Sequence, residues 1–196
     1  MKFPKYIFFT GAPGSGWSVT AKTLETLPIF NTSDRSATRH YTSASGANHN
    51  GMYYGQSMEF KALLDADYLD SAWGTTDNTR LIKSHEWAAQ LNAIEEKFTD
   101  SWIMIVYRPD ASCSDSWFES GGFSITYPNY QSYIDADSMK TSICNINQQL
   151  LKYTQSKDVA LERFTTDWVK RNFGRETIIP NLPEDLRVAL ITPAYF

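Results

Sequence analysis

The stretch Lys5-Tyr6-Ile7-Phe8-Phe9-Thr10-Gly11-Ala12-Pro13-Gly14-Ser15-Gly16-Trp17-Ser18-Val19-Thr20 decides how the chain is read. Its apolar start, Tyr6 to Phe9, has the residue types of a buried strand. Thr10 to Gly16 is turn chemistry, and a helical pattern follows from about Trp17 to Leu27. Strand, glycine loop and helix in that order predict backbone N–H groups converging at a helix N-terminus, where unpaired donors and the helix dipole both favour an anion. A phosphate or sulfate is therefore expected at this loop. The spacing of Gly11, Gly16 and Ser18 nearly fits the P-loop pattern of glycine, four residues, glycine, lysine and a hydroxyl residue, but the lysine position holds Trp17. A P-loop ATPase or GTPase places that lysine on its outer phosphates, so the substitution argues against ordinary nucleoside-triphosphate chemistry.

Working outward, 196 residues of which 42% are hydrophobic and 14% aromatic suffice for one sizeable core, and a single domain over residues 1–196 is expected. A net charge of −4 and a pI near 5.4 give no overall positive field for nucleic acid, so no nucleic-acid partner is expected. Tyr6 to Phe9 is too short for a signal-peptide core and no stretch reaches membrane-spanning length, which predicts a cytoplasmic chain without a membrane partner. Cys113 and Cys144 have no second cysteine or histidine at metal-ligand spacing, so neither a metal nor a disulfide is expected.

Residues 31–57 are rich in Ser, Thr, Asn, Gly and Tyr, without helical or strand period. A loop of that length predicts a substrate-covering segment, with Tyr41, Tyr53, Tyr54 and Phe60 as walls of an acceptor pocket. Residues 57–70 place Met58, Phe60, Leu63, Leu64, Tyr68 and Leu69 on one face of a short helix. Arg80 to His85 reads as a second strand ending in Lys83, Ser84 and His85, and residues 86–98 as a helix. Trp102 to Tyr107 is a continuous apolar run of the kind found in a central strand, stopping at Arg108-Pro109-Asp110, where a helix to Glu119 starts. A further helix is expected over 130–155, interrupted near 135–138, then a strand at Val159 to Phe164. A short helix capped by Thr165 or Thr166 ends before Gly174, and a last strand covers Leu186 to Ile191. This alternation predicts an α/β domain in which helices flank a mostly parallel central sheet in three layers, a P-loop-like fold. Ligands of such sheets sit outside the carboxyl ends of the strands, which would face Lys83, His85 and Arg108 toward the loop at Gly11 to Ser18.

Together these strand ends resemble the sulfotransferase family. The loop Pro13-Gly14-Ser15-Gly16-Trp17-Ser18 is similar to the family's 5′-phosphosulfate loop. Lys83-Ser84-His85 matches its strand ending in lysine, threonine, histidine, and Arg108 with Ser116, eight residues on, matches the pair that holds the 3′-phosphate. The resemblance covers roughly residues 5–120, with a weaker echo at Arg163 to Trp168. It implies 3′-phosphoadenosine 5′-phosphosulfate (PAPS) as co-substrate, no metal, and transfer of a sulfuryl group to a small-molecule or glycan acceptor through a hydroxyl or amine. It further implies His85 as base, with Glu86 beside it as a second candidate, Lys83 on the leaving group, and Arg108 and Ser116 on the 3′-phosphate. The family's loop lysine is Gly14 here, Val19 stands where an adenine-stacking tryptophan is expected, and Lys170, Arg171 and Gly174 only hint at its late basic glycine motif. Two other readings stay open: a nucleotide-binding protein without turnover, for which the missing lysine speaks, and a small P-loop kinase.

Overall fold

The structure is a computed structural model and describes residues 2–30, 40–42, 48–50, 60, 62–70, 78–124 and 134–193. Three strands form its centre. β1 (Tyr6–Gly11) lies between β4 (Arg80–Lys83) and β5 (Trp102–Tyr107), parallel to both. Two further strands complete the sheet: β7 (Arg187–Ile191) runs antiparallel to β5, and β6 (Glu162–Arg163) antiparallel to β7. The order β4-β1-β5-β7-β6 makes a five-stranded, mixed but predominantly parallel sheet.

Because side chains alternate across a strand, each central strand feeds two cores. Tyr6, Phe8, Ile82, Ile103 and Ile105 point to one face. There they pack on Trp87, on Leu91 and Ile94 of α3 (Leu91–Lys97), and on Leu150 and Tyr153 of α5 (Ala136–Ser156). Ile7, Phe9, Leu81, Met104 and Val106 point to the other face, against Trp17, Ala21 and Leu24 of α1 (Trp17–Leu24) and Trp168, Val169 and Phe173 of α6 (Thr166–Phe173). A third cluster joins Ala12 of the loop to Cys113 and Trp117 of α4 (Asp110–Glu119) and Met139 and Ile143 of α5. The near-continuous apolar runs read from β1 and β5 follow from this burial on both faces.

Several expectations are corrected. The strand expected at Val159 to Phe164 shrinks to Glu162–Arg163, both exposed at the sheet edge, while Phe164 turns into the core. The helix expected at 86–98 divides into a 3₁₀ turn, His85–Ala89, and α3, because the Ser84 hydroxyl caps the turn by accepting from the Glu86 amide. Within 57–70 the helix is confined to α2 (Ala66–Asp70), and residues 57–59 and 61 lie outside the described residues. Phe60, expected on an acceptor pocket, is instead buried against the core and edge-on to Tyr68. In the 31–57 segment, read as free of strand period, β2 (His40–Thr42) and β3 (Asn48–Asn50) pair antiparallel. Tyr53 and Tyr54, like the remainder of that segment, lie outside the described residues. The helix expected over 130–155 begins at Ala136 and is unbroken from there, since Asp135 and Ser138 form a capping box. The Thr165 cap on the Trp168 amide and the stop at Gly174 agree with the sequence reading.

Asn147 of α5 ties the exit of β5 in place. Its buried amide donates to the Arg108 carbonyl at 2.9 Å and to the Asp110 carboxylate at 2.6 Å. Replacing Asn147 with leucine leaves that carbonyl only the weak Cys113 thiol donor and removes the bond to the Asp110 carboxylate, and urea denaturation is expected to show a loss of about 1–3 kcal/mol. An unchanged unfolding midpoint would contradict this bond's role.

Candidate functional site

The loop after β1 is built on a turn. The Ser15 amide donates to the Ala12 carbonyl at 3.0 Å, with Pro13 and Gly14 at the corners and Gly14 at φ +75°, the residue pattern of a type II turn. Gly16 is the N-cap residue of α1. The amides of Trp17, Ser18 and Val19 then stand at the helix start, where no carbonyl four residues back belongs to the helix. Inside the loop the Ser15 side chain is fully buried, and its hydroxyl has no hydrogen-bond partner among the described residues. It faces Gly11, where a β-carbon would lie 2.8 Å from the Ser15 oxygen and 2.7 Å from the Val106 carbonyl. Glycine at position 11 is what lets the hydroxyl occupy that space.

Gly14 is held against α4. A β-carbon there would lie 1.9 Å from the Cys113 carbonyl oxygen and 3.1 Å from the Trp117 nitrogen. No lysine fits at this position in this arrangement, so the missing loop cation is a consequence of packing as well as of sequence. Ser116 lies on the same stretch of α4, between Cys113 and Trp117, and is half-buried.

β1 pairs Phe9 with Lys83 on one side and Gly11 with Val106 on the other. This register brings Lys83, His85 and Arg108 to the loop, as the sequence predicted. Lys83 is almost wholly buried; its ammonium donates to the Ser18 hydroxyl at 2.8 Å and sits 3.7 Å from the centre of the Trp17 ring. The Trp17 indole occupies the P-loop lysine position in the chain and stacks on the His85 imidazole, ring centres 3.7 Å apart. A cation from the neighbouring strand thus reaches the helix start that the loop itself leaves without one.

His85 is buried, and its Nδ1 pairs with the Gly11 carbonyl. A carbonyl oxygen only accepts, so Nδ1 carries the hydrogen and Nε2 the lone pair. Burial, with the Lys83 charge adding to it against the opposing Gly11 bond, pushes the imidazole down to about 3. The ring is therefore neutral across the physiological range, a weaker base than the unperturbed imidazole assumed from sequence. Glu86, the second candidate base, is exposed and its carboxylate accepts from the Ala62 amide at 3.0 Å.

Arg108 reaches the loop from the end of β5. Its Nη1 donates to the Gly14 carbonyl at 3.2 Å, while Nε and Nη2 meet the two Asp185 oxygens at 2.8 and 3.4 Å. Desolvation tends to raise the Asp185 carboxyl, but its bonds to Ser112 and Arg108 and the Arg108 charge prevail and hold it below the ordinary value. The Cys113 thiol, buried beneath the loop, is pushed up to about 12 and donates to the Arg108 carbonyl, which makes it inert packing.

The late basic residues are engaged elsewhere, Lys170 with Glu176 and Arg171 with Glu162, each at 2.6 Å on the exposed side of α6. Val19 is partly exposed on α1. Among the described residues no group of three His, Cys, Asp or Glu side chains could hold a metal ion, and no helix is long and apolar enough to cross a membrane. What the sequence reading missed is the indole's contacts: Trp17 entered it as a member of the phosphosulfate loop and as the replacement for a lysine, not as a ring between Lys83 and His85, and an aromatic residue one place after the last loop glycine was the available signal. Comparisons with protein-family models, with curated proteins and with solved structures find no match.

Two measurements follow. Gly14→Ala introduces both the clash with Cys113 and a strained positive φ, and is expected to lower stability by more than about 2 kcal/mol; a variant as stable as wild type would show that loop and helix are not in contact. Unfolded His85 takes up its proton near pH 6.5, whereas the folded form waits until about 3. The unfolded state thus binds the extra proton between those values, and stability falls as pH is lowered through that window by up to ~1.4 kcal/mol per unit. His85→Asn is expected to flatten this part of the pH–stability curve, and an unaltered slope would argue against a buried neutral imidazole.

Proposed function

We propose that the chain binds an adenine nucleotide carrying phosphate and sulfate through the loop at Gly11 to Ser18, and acts as a sulfotransferase on a P-loop-like fold, with PAPS as donor. The observation that carries this reading is the buried, unpartnered Ser15 hydroxyl inside a glycine loop whose rim bears the Lys83 ammonium. Buried hydroxyls are rarely left without a partner, and an anion seated at the start of α1 would supply one. In this reading the acceptor oxygen or nitrogen attacks sulfur as the bond from sulfur to the 5′-phosphate oxygen breaks. The acceptor proton passes to Nε2 of His85. Charge growing on the leaving phosphate is met by the amides of Trp17 to Val19 and by Lys83. The bound anion also brings negative charge beside the imidazole and raises its basicity from the resting value. Arg108 exchanges the partly exposed Asp185 carboxylate for the 3′-phosphate, a forked donor meeting a doubly charged acceptor, with Ser116 alongside. The acceptor, a small molecule or a glycan, is left to the 31–57 segment.

A second reading, nucleotide binding without turnover, is favoured by two features: there is no room for a lysine at Gly14, and the resting His85 is a weak base. A small P-loop kinase fits less well, because Lys83 already occupies the Ser18 hydroxyl that such enzymes use for magnesium.

Calorimetric titration with 3′,5′-adenosine bisphosphate tests the binding. Wild type is expected to bind without magnesium, and Lys83→Met, close in volume, to bind roughly 10- to 100-fold more weakly. Absence of binding by folded wild type would overturn both nucleotide readings. Transfer of label from ³⁵S-labelled donor to pooled phenols or glycans, lost in His85→Asn, separates the enzyme from the binding module.

A further inference from the structure

Trp17 stands where a P-loop has its lysine, yet it is neither exposed nor a passive filler. It is the first residue of α1, only 6% exposed. Its ring lies near-parallel to Phe9 at 6.2 Å and stacks on His85 at 3.7 Å, while the Lys83 ammonium sits 3.7 Å from its centre. An aromatic face attracts an ammonium strongly when both are desolvated. Unlike a carboxylate, the ring carries no net charge of its own and leaves the ammonium a cation.

We propose that Trp17 is the positioning residue of the anion site, holding the Lys83 ammonium at Ser18 and the helix start so that a lysine on β4 does the work of the absent loop lysine. This assignment rests on the nucleotide reading given above. Three features of the structure converge on it. Gly14 cannot carry a side chain. The register Phe9 to Lys83 places the strand lysine next to the loop. The ammonium touches the indole and the Ser18 hydroxyl together. A lysine has four flexible methylenes, and a fixed contact with a stacked ring removes much of the freedom it would otherwise lose on binding an anion. By stacking on His85, the same ring also fixes the plane of the imidazole whose Nδ1 is tied to Gly11.

The test is a double-mutant cycle read as affinity for 3′,5′-adenosine bisphosphate, using Trp17→Leu, Lys83→Met and both together, with Trp17→Phe as the conservative variant and circular dichroism to show that each is folded. Trp17→Leu is expected to weaken binding roughly tenfold, Trp17→Phe to recover most of that, and Trp17→Leu in the Lys83→Met background to change affinity by less than about twofold. Additive losses would mean that the indole acts on the fold and not through the ammonium, and would overturn the assignment while leaving the nucleotide reading intact. Failure of wild type to bind would overturn the nucleotide reading and this assignment with it. A readout free of ligand completes the test: the ε-methylene protons of Lys83 are expected upfield of ordinary lysine by ring current, and to return to ordinary shifts in Trp17→Leu. Ordinary shifts in wild type would overturn the assignment whatever the nucleotide does.

Discussion

The parallel register of β1 with its two neighbours is the constraint on which the rest depends. Once Phe9 is opposite Lys83 and Gly11 opposite Val106, the ends of β4 and β5 are fixed on either side of one loop. Lys83, His85 and Arg108 then have short routes to it, although they come from segments up to about a hundred residues away from it along the chain. A slip of one residue would turn Lys83 to the opposite face and put Ile82, now in the core, where the ammonium is. Burial on both faces is what forbids the slip. The same apolar pressure that makes β1 and β5 read as continuous hydrophobic runs thus positions the charged groups at their ends.

The loop itself is held from three sides. Its turn closes on the bond from Ser15 to Ala12, its back presses on α4 at Cys113, and Arg108 clamps the Gly14 carbonyl while reaching Asp185. This rigidity has a chemical consequence. A preorganised loop loses little entropy when an anion enters, and its donors need not be gathered at the moment of binding. The cost is that position 14 has no space for a lysine, and the Lys83 ammonium on its aromatic seat takes up that charge from the side. Burial also leaves its mark in His85, whose imidazole is held neutral chiefly by desolvation, with the Lys83 charge adding to it.

Much of this was legible in the residues. Strand, loop and helix at 5–24 follow from the apolar run, from Pro13-Gly14 as turn chemistry and from the helical pattern after Gly16, and the three strand ends follow from apolar runs that stop at Lys83 and Arg108. The reading fell short where tertiary contacts decide. Val159 to Phe164 has strand composition, but only Glu162 and Arg163 find a neighbour in β7. The 86–98 helix looks continuous in pattern, yet the Ser84 hydroxyl competes for the first amides and tightens its start. Phe60 was assigned to a pocket because of its neighbours in sequence, whereas its amide bonds the Lys83 carbonyl and its ring fills the core. At the site, the chain pattern identified the groups but not their partners: Asp185 on Arg108 and the indole under Lys83 join residues 77 and 66 positions apart, which no local spacing reveals.

The proposed site seats one anion inside the loop, shared between a buried hydroxyl and a strand-borne ammonium. A crystal structure of the protein grown with 3′,5′-adenosine bisphosphate tests it most directly. The 5′-phosphate is expected at the start of α1, with one oxygen within ~3 Å of Ser15 Oγ and another within the same reach of Lys83 Nζ. Density for the nucleotide at any other surface, with the Ser15 hydroxyl still unpartnered, would contradict it.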